Sequence, residues 1–152
     1  MVTIKDGDLF GAKGLICHQV NCKGTMERGL AKTFKLIFPV AYKNYLDLCK
    51  EEQGHSSELL GGVAFSMEET GHTCCMFAQD DWRGNGCKTN YDAFRKCCKL
   101  ITEHIDSFFY NNYAINMPFG IGCGLGGGDW LVVKAILDEE FKDYNLILWK
   151  LK

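Results

Sequence analysis

The sequence predicts an α/β fold, a three-layer α/β/α sandwich around a central mixed sheet. Two observations carry that prediction. Strand-like apolar runs interleave with helical runs along the whole chain, and such alternation builds a sheet covered by helices on both faces. A loop with six glycines in eleven residues, Gly120 to Trp130, lies between a strand-like run and a helical run. Strand, glycine loop and helix in that order present backbone N–H groups and a positive dipole end to phosphate. At 152 residues the chain can bury a sizeable core, and it reads as one domain, 1–152.

Each element has its own signal. Val2-Thr3-Ile4-Lys5 alternates as a first strand, and Asp6-Gly7-Asp8 is a turn. Gly14 to Val20 reads as a buried strand running into the polar loop Asn21-Cys22-Lys23-Gly24-Thr25. Helical spacing follows through Leu30, Phe34 and Ile37. Pro39 opens a second helix with Tyr42, Tyr45, Leu46 and Cys49 on one face. Leu60 to Ser66 and Thr73 to Ala78 are strands joined by the turn Glu69-Thr70-Gly71. After a loop from Asp80 to Lys88, Thr89 is placed as the N-cap of a long helix with Tyr91, Phe94, Cys98, Ile101, Ile105 and Phe108 on one stripe. Residues 113–118 form a strand, 129–142 a helix for which Asp129 is a natural N-cap, and Leu146 to Trp149 a last strand. Ligands of such sheets sit at the carboxyl ends of strands. Both informative loops, 21–29 and 119–129, follow strands.

Composition narrows the functional classes. It is that of an ordinary soluble globular protein, and no apolar run reaches membrane-spanning length. A net charge of -2 argues against broad binding to nucleic acid. It leaves a small phosphate ligand open, because backbone amides hold phosphate without a basic patch. The nine cysteines include no Cys-x-x-Cys pair and fall mostly inside apolar segments. That pattern suits reduced, buried, inert thiols in a cytoplasmic protein. His18 with Cys22, and His72 with Cys74, are too sparse for a metal set. No metal and no cofactor is expected.

Taken in order, several segments resemble the macrodomain family of ADP-ribose-binding modules. They are Gly7-Asp8-Leu9-Phe10, the run His18 to Ala31, Phe38-Pro39 with Tyr42 to Tyr45, and Met117-Pro118 followed by Ile121-Gly122-Cys123-Gly124-Leu125 and Trp130. Within that family the chain is most similar to the branch holding yeast-type ADP-ribose 1''-phosphate phosphatases and terminal ADP-ribose glycohydrolases. The His-x-x-Asn-Cys-x-Gly run at 18 to 24 resembles the phosphatase side.

The resemblance implies a set of site residues. Asp8, beside Leu9, would accept from the adenine amino group; the alternative is a turn aspartate. Trp149 would stack on the base or belong to the core. Asn21 would face the distal ribose with Gln19, Thr25 and Met26 nearby, or simply form a turn. Gly24 and Gly29 would let the first loop wrap the ligand. Phe119, Gly120, Ile121, Gly122, Cys123, Gly124, Leu125 and Gly126 would form the second phosphate loop. His18 stands where the phosphatase branch has a histidine implicated in chemistry, either as general acid or as nucleophile; the alternative is a satisfied histidine near the sheet end. Asp129 would orient water or the distal ribose, or only cap its helix.

Three departures qualify the resemblance. Gln79 stands where the glycohydrolases use a lysine, and glutamine forms no Schiff base. Gly126 replaces their aspartate. Lys88 would substitute only if its loop folded back. Glu27 and Arg28 replace small residues; Arg28 would grip a phosphate bidentately and Glu27 a water or hydroxyl, or both would face solvent. The implied function is binding of an ADP-ribose derivative with hydrolysis of ADP-ribose 1''-phosphate. The alternatives are a non-catalytic binder of ADP-ribose or a cyclic derivative, and an ADP-ribosyl hydrolase acting on modified protein or nucleic acid. A cytoplasmic monomer is expected.

Overall fold

The alternation of side chains along the strands sorts this protein into its layers. The structure is a computed structural model and describes residues 1–151. The described elements are β1 (Val2–Asp6), β2 (Leu15–Val20), α1 (Gly29–Ile37), α2 (Pro39–Glu51), β3 (Val63–Glu68), β4 (Gly71–Phe77), α3 (Tyr91–Phe108), β5 (Ile115–Pro118), α4 (Trp130–Glu140) and β6 (Leu146–Lys150). They form one sheet in the order β1-β6-β5-β2-β4-β3. All neighbours are parallel except the β3–β4 hairpin, so the expected mixed sheet is present.

Odd and even residues of a strand face opposite sides. Leu15, Cys17, Cys74, Met76, Ile115, Met117, Leu146 and Leu148 therefore join one core with α3 and α4. Ile16, Val20, Cys75 and Phe77 join a second core with Phe34 of α1, Phe38 between the helices, and Ala41 and Tyr45 of α2. All nine cysteines are free and seven are buried. Burial pushes the Cys22 and Cys97 thiols up to about 12, which keeps them from acting as thiolates.

The elements depart from the sequence reading in three places. α3 is capped by Asn90, whose side chain accepts from Ala93 N, and not by Thr89. Its stripe is buried from Phe94 through Ile105, but Tyr91 is only half-buried and Phe108 is 72% exposed. Leu60 and Gly61 belong to a turn before β3, with Gly61 at φ +90. A fourth feature has no sequence signal. Phe38, at the N-cap of α2, offers no side-chain acceptor. Glu68, on the edge strand β3, supplies it by accepting from Val40 N at 3.2 Å and Ala41 N at 2.9 Å.

Candidate functional site

Five parallel strands end on the same side, and the segments that follow three of them, β2, β4 and β5, enclose a cleft of about 600 Å³. Its floor is the end of β2, His18 to Asn21. One wall is the start of α1, Arg28 to Ala31. The other is the glycine loop from Gly120 to Gly126. Pro118 and Phe119 stand at one end, Gln79, Trp82 and Lys88 at the other. The cleft thus runs along the sheet order from β5 across β2 to β4.

Asn21 organises the first loop. Its Oδ1 accepts from Lys23 N at 3.0 Å and lies 2.8 Å from the Tyr45 hydroxyl, and its Nδ2 donates to Thr25 O at 2.8 Å. Tyr45 also accepts from Gly24 N at 3.1 Å. Turn-making and ligand-facing roles are therefore combined in one amide, which keeps one Nδ2 hydrogen for a ligand. The loop then delivers Arg28 to the N-cap of α1, where no side chain caps the helix. Its first free N–H groups open on the cleft.

The second loop is held from below. Gly122 O accepts from Gly128 N at 2.9 Å and from Thr89 Oγ1 at 2.6 Å. Gly126 O accepts from Lys88 N at 2.7 Å and Thr89 N at 3.1 Å. Gln19 Nε2 donates to Thr89 Oγ1 at 2.9 Å and Gln79 Oε1 at 2.8 Å. Gln19 Oε1 is buried with no partner, an acceptor in want of a donor. Thr89 is thus the latch between the glycine loop and the sheet, a role its cap-like sequence context hid. Thr89→Val keeps the shape and removes the hydroxyl. It should weaken binding of a phosphate-bearing ligand in the cleft about five- to tenfold, the ~1–1.5 kcal/mol of a lost hydrogen bond. Calorimetric titration checks this, and unchanged affinity would discard the latch.

Fifteen of the residues singled out in the sequence line the cleft: His18, Gln19, Asn21, Thr25, Met26, Arg28, Gly29, Gln79, Phe119, Gly120, Ile121, Gly122, Gly124, Leu125 and Gly126. Six do not. Asp129 is exposed and caps α4, accepting from Leu131 N at 2.9 Å; its orienting role is withdrawn, since its carboxylate is committed to the helix. Asp8 caps a single turn, accepting from Phe10 N at 3.0 Å, and Leu9 is buried. Trp149 is half-buried, with Nε1 donating to Asn116 Oδ1 at 2.8 Å. Asp8 and Trp149 stand beside the Phe119 end, since Phe119 N donates to Trp149 O, rather than in the wall. Gly24 turns toward Leu46 and Cys49, and Cys123 lies behind the loop.

His18 needs a further correction. It belongs to the floor, but it is only 1% exposed. Its ring lies 3.9 Å from that of Phe34 between centroids, and Nε2 faces Cys75 Sγ at 3.5 Å. Burial drives its pKa down to about 3. At neutral pH the ring carries no acidic proton to give, so the general-acid role falls. Trp82, Pro118, Val20, Leu30 and Ala31 also line the cleft and were not assigned from sequence, and Lys88, named there only on condition that its loop folds back, lines it too. The loop does fold back far enough to bring Lys88 in, although its Nζ donates to Gly84 O at 3.2 Å. Glu27 pairs with Lys35 at 3.0 Å.

An α/β/α sandwich whose glycine loop faces an uncapped helix start across the strand ends defines a phosphate-binding module of nucleotide-like ligands. The ADP-ribose 1''-phosphate phosphatase of Meyerozyma guilliermondii is 33% identical to this chain, over 88% of it and 90% of the relative. The macrodomain of Mycobacterium tuberculosis DarG superposes with a TM-score of 0.80 at 24% identity, covering 98% of this chain and 97% of that one. Thermosipho africanus DarTG in complex with ADP-ribose gives 0.77 at 19% identity, covering 97% of this chain and 41% of the other. No family model matches the chain. The chain belongs to the macrodomain family, on the branch of the ADP-ribose 1''-phosphate phosphatases.

Proposed function

We propose that this protein binds ADP-ribose and hydrolyses ADP-ribose 1''-phosphate to ADP-ribose and inorganic phosphate. The observation that carries the reading is the opposition of two neutral N–H arrays, the uncapped start of α1 and the glycine loop, across one cleft. A diphosphate fits between them. The adenine then lies at the Phe119 end, beside Asp8 and Trp149. The distal ribose lies over Asn21 and Thr25. Water attacks the terminal phosphorus, the bond from phosphorus to the ribose oxygen breaks, and a proton of that water passes to the departing ribose oxygen as ADP-ribose leaves with inorganic phosphate. Oriented amides stabilise the charge that builds on the phosphoryl oxygens. His18 supports this floor without supplying a proton.

The phosphatase name of the Meyerozyma relative and the ADP-ribose in the Thermosipho structure support this reading. The buried free thiols support a reducing, cytoplasmic setting. The experiment is to titrate ADP-ribose by calorimetry and to follow phosphate release from ADP-ribose 1''-phosphate. One site of about micromolar affinity, ~8 kcal/mol, with phosphate release is expected. Absence of heat at millimolar ligand overturns the reading; binding without release reduces it to a binder.

A further inference from the structure

Three cations on the segments that carry the cleft's loops are neutralised by carboxylates, and two others are not. Lys23 pairs with Asp80 at 3.6 Å, Lys35 with Glu27 at 3.0 Å and Arg83 with Asp81 at 2.7 Å. The other two, Arg28 and Lys88, are the two cations in the lining itself. Among the described residues neither has a carboxylate within the 4.0 Å of an ion pair. Glu27 is the one carboxylate in the lining, and Lys35 occupies it. A chain with a net charge of -2 has therefore kept its cleft cationic.

The two residues start from opposite walls, but their backbones approach neighbouring residues of the glycine loop. Gly29, next to Arg28, faces Leu125, whose Cδ1 would lie 3.7 Å from a Cβ built there. Lys88 donates its backbone N–H to Gly126 O at 2.7 Å. Arg28 and Lys88 thus flank the same two residues of the glycine loop, away from the Phe119 end. The diphosphate of ADP-ribose is already served by neutral N–H groups. A terminal phosphate adds about 1.5 to 2 negative charges, which those groups do not balance.

We infer that Arg28 and Lys88 form a two-sided clamp on the terminal phosphate and set the preference for the phosphorylated ligand over ADP-ribose. The inference rests on the function proposed above. Arg28 supplies a planar fork that pairs two phosphoryl oxygens, and Lys88 a mobile point charge that gives up only a carbonyl contact to reach them. Both are specificity residues; neither makes or breaks a bond.

The test compares two ligands on wild type, Arg28→Met, Lys88→Met and the double variant. The Kd of ADP-ribose is measured by calorimetry. Preference for ADP-ribose 1''-phosphate is measured as kcat/KM from phosphate release, or as Kd by calorimetry where no release occurs. Each single variant should lose about tenfold for the phosphorylated ligand, and the double about a hundredfold, while ADP-ribose affinity stays within about threefold. Arg28→Lys should recover part of the loss. Melting temperatures should not move, since neither side chain is in the core. Equal losses for both ligands would reassign the cations to the diphosphate and overturn the clamp, as would unchanged values for both. The proposed hydrolysis fails separately: a wild type that prefers the phosphorylated ligand without releasing phosphate overturns hydrolysis and supports the clamp. A wild type that releases phosphate while every variant behaves as it does overturns the clamp alone. One that binds neither ligand overturns both.

Discussion

Replacing Gly126 with alanine is expected to cost at least about tenfold in ADP-ribose affinity, together with ~1–3 kcal/mol of stability, the usual cost of overpacking. The reason is steric and local. A Cβ at Gly126 would lie 2.7 Å from Thr89 Oγ1, 2.8 Å from Gly122 O and 3.0 Å from Gln19 Nε2. All three atoms belong to the network that fixes the loop, and one is backbone, so no side-chain rotation relieves the clash. The φ of Gly126 is not in the left-handed region, so backbone strain does not confuse the result. The loop must lift off Thr89, and Lys88 N and Thr89 N lose the acceptor Gly126 O. Calorimetry and a thermal melt read the two effects. Affinity within about threefold of wild type would mean that the loop's contacts with Thr89 do not set ligand binding.

The second large effect is acid lability. His18 is neutral in the folded protein, with its pKa lowered from 6.5 to about 3 by burial. In the unfolded chain it titrates at its ordinary value. Above pH 6.5 both states are neutral and the histidine has no influence. From pH 6.5 down to about 3 the unfolded state takes up a proton that the folded state refuses. Stability therefore falls by about 1.4 kcal/mol per pH unit from this group alone. Burial also lowers His72 to about 4, with His104 beside it adding to the shift, so the trend has the same sign at a second position. Denaturant melts at pH 7 and pH 5 should differ by about 2 kcal/mol through His18, and His18→Leu should remove that part of the difference. An unchanged slope in the variant would show that the buried imidazole is protonated in the folded state. In that case its chemistry would have to be reconsidered.

The His18 result illustrates what the sequence could and could not say. Period-two alternation puts His18 on the same face as Ile16 and Val20, under α1, so its burial was legible in the strand pattern. The family-like motif directed attention to its chemistry instead. The sheet, all four helices and the two loops were legible because each rests on local periodicity, a proline or a glycine cluster. The choice between Thr89 and Asn90 as cap was not. Both residue types cap helices, and the decision is made by Gly122 O, which draws the Thr89 hydroxyl across 33 residues of sequence. Trp82 was hidden, and the place of Lys88 left conditional, for a related reason. They lie in a loop without periodicity, whose path is fixed by Lys88 N and Thr89 N meeting Gly126 O. Asp129 carried two readings, and the free first turn of α4 decided between them.

The carboxylate of Glu68 has a consequence for the order in which this molecule assembles. The first turn of α2 borrows its acceptor from a strand 27 residues further on, so the helix start is completed only after the β3–β4 hairpin has closed beside it. Amide hydrogens of Val40 and Ala41 should therefore exchange with solvent at the pace of the hairpin and not at that of the rest of their helix. A label that appears early at those two amides would mark the edge of the sheet as the first part of the protein to open.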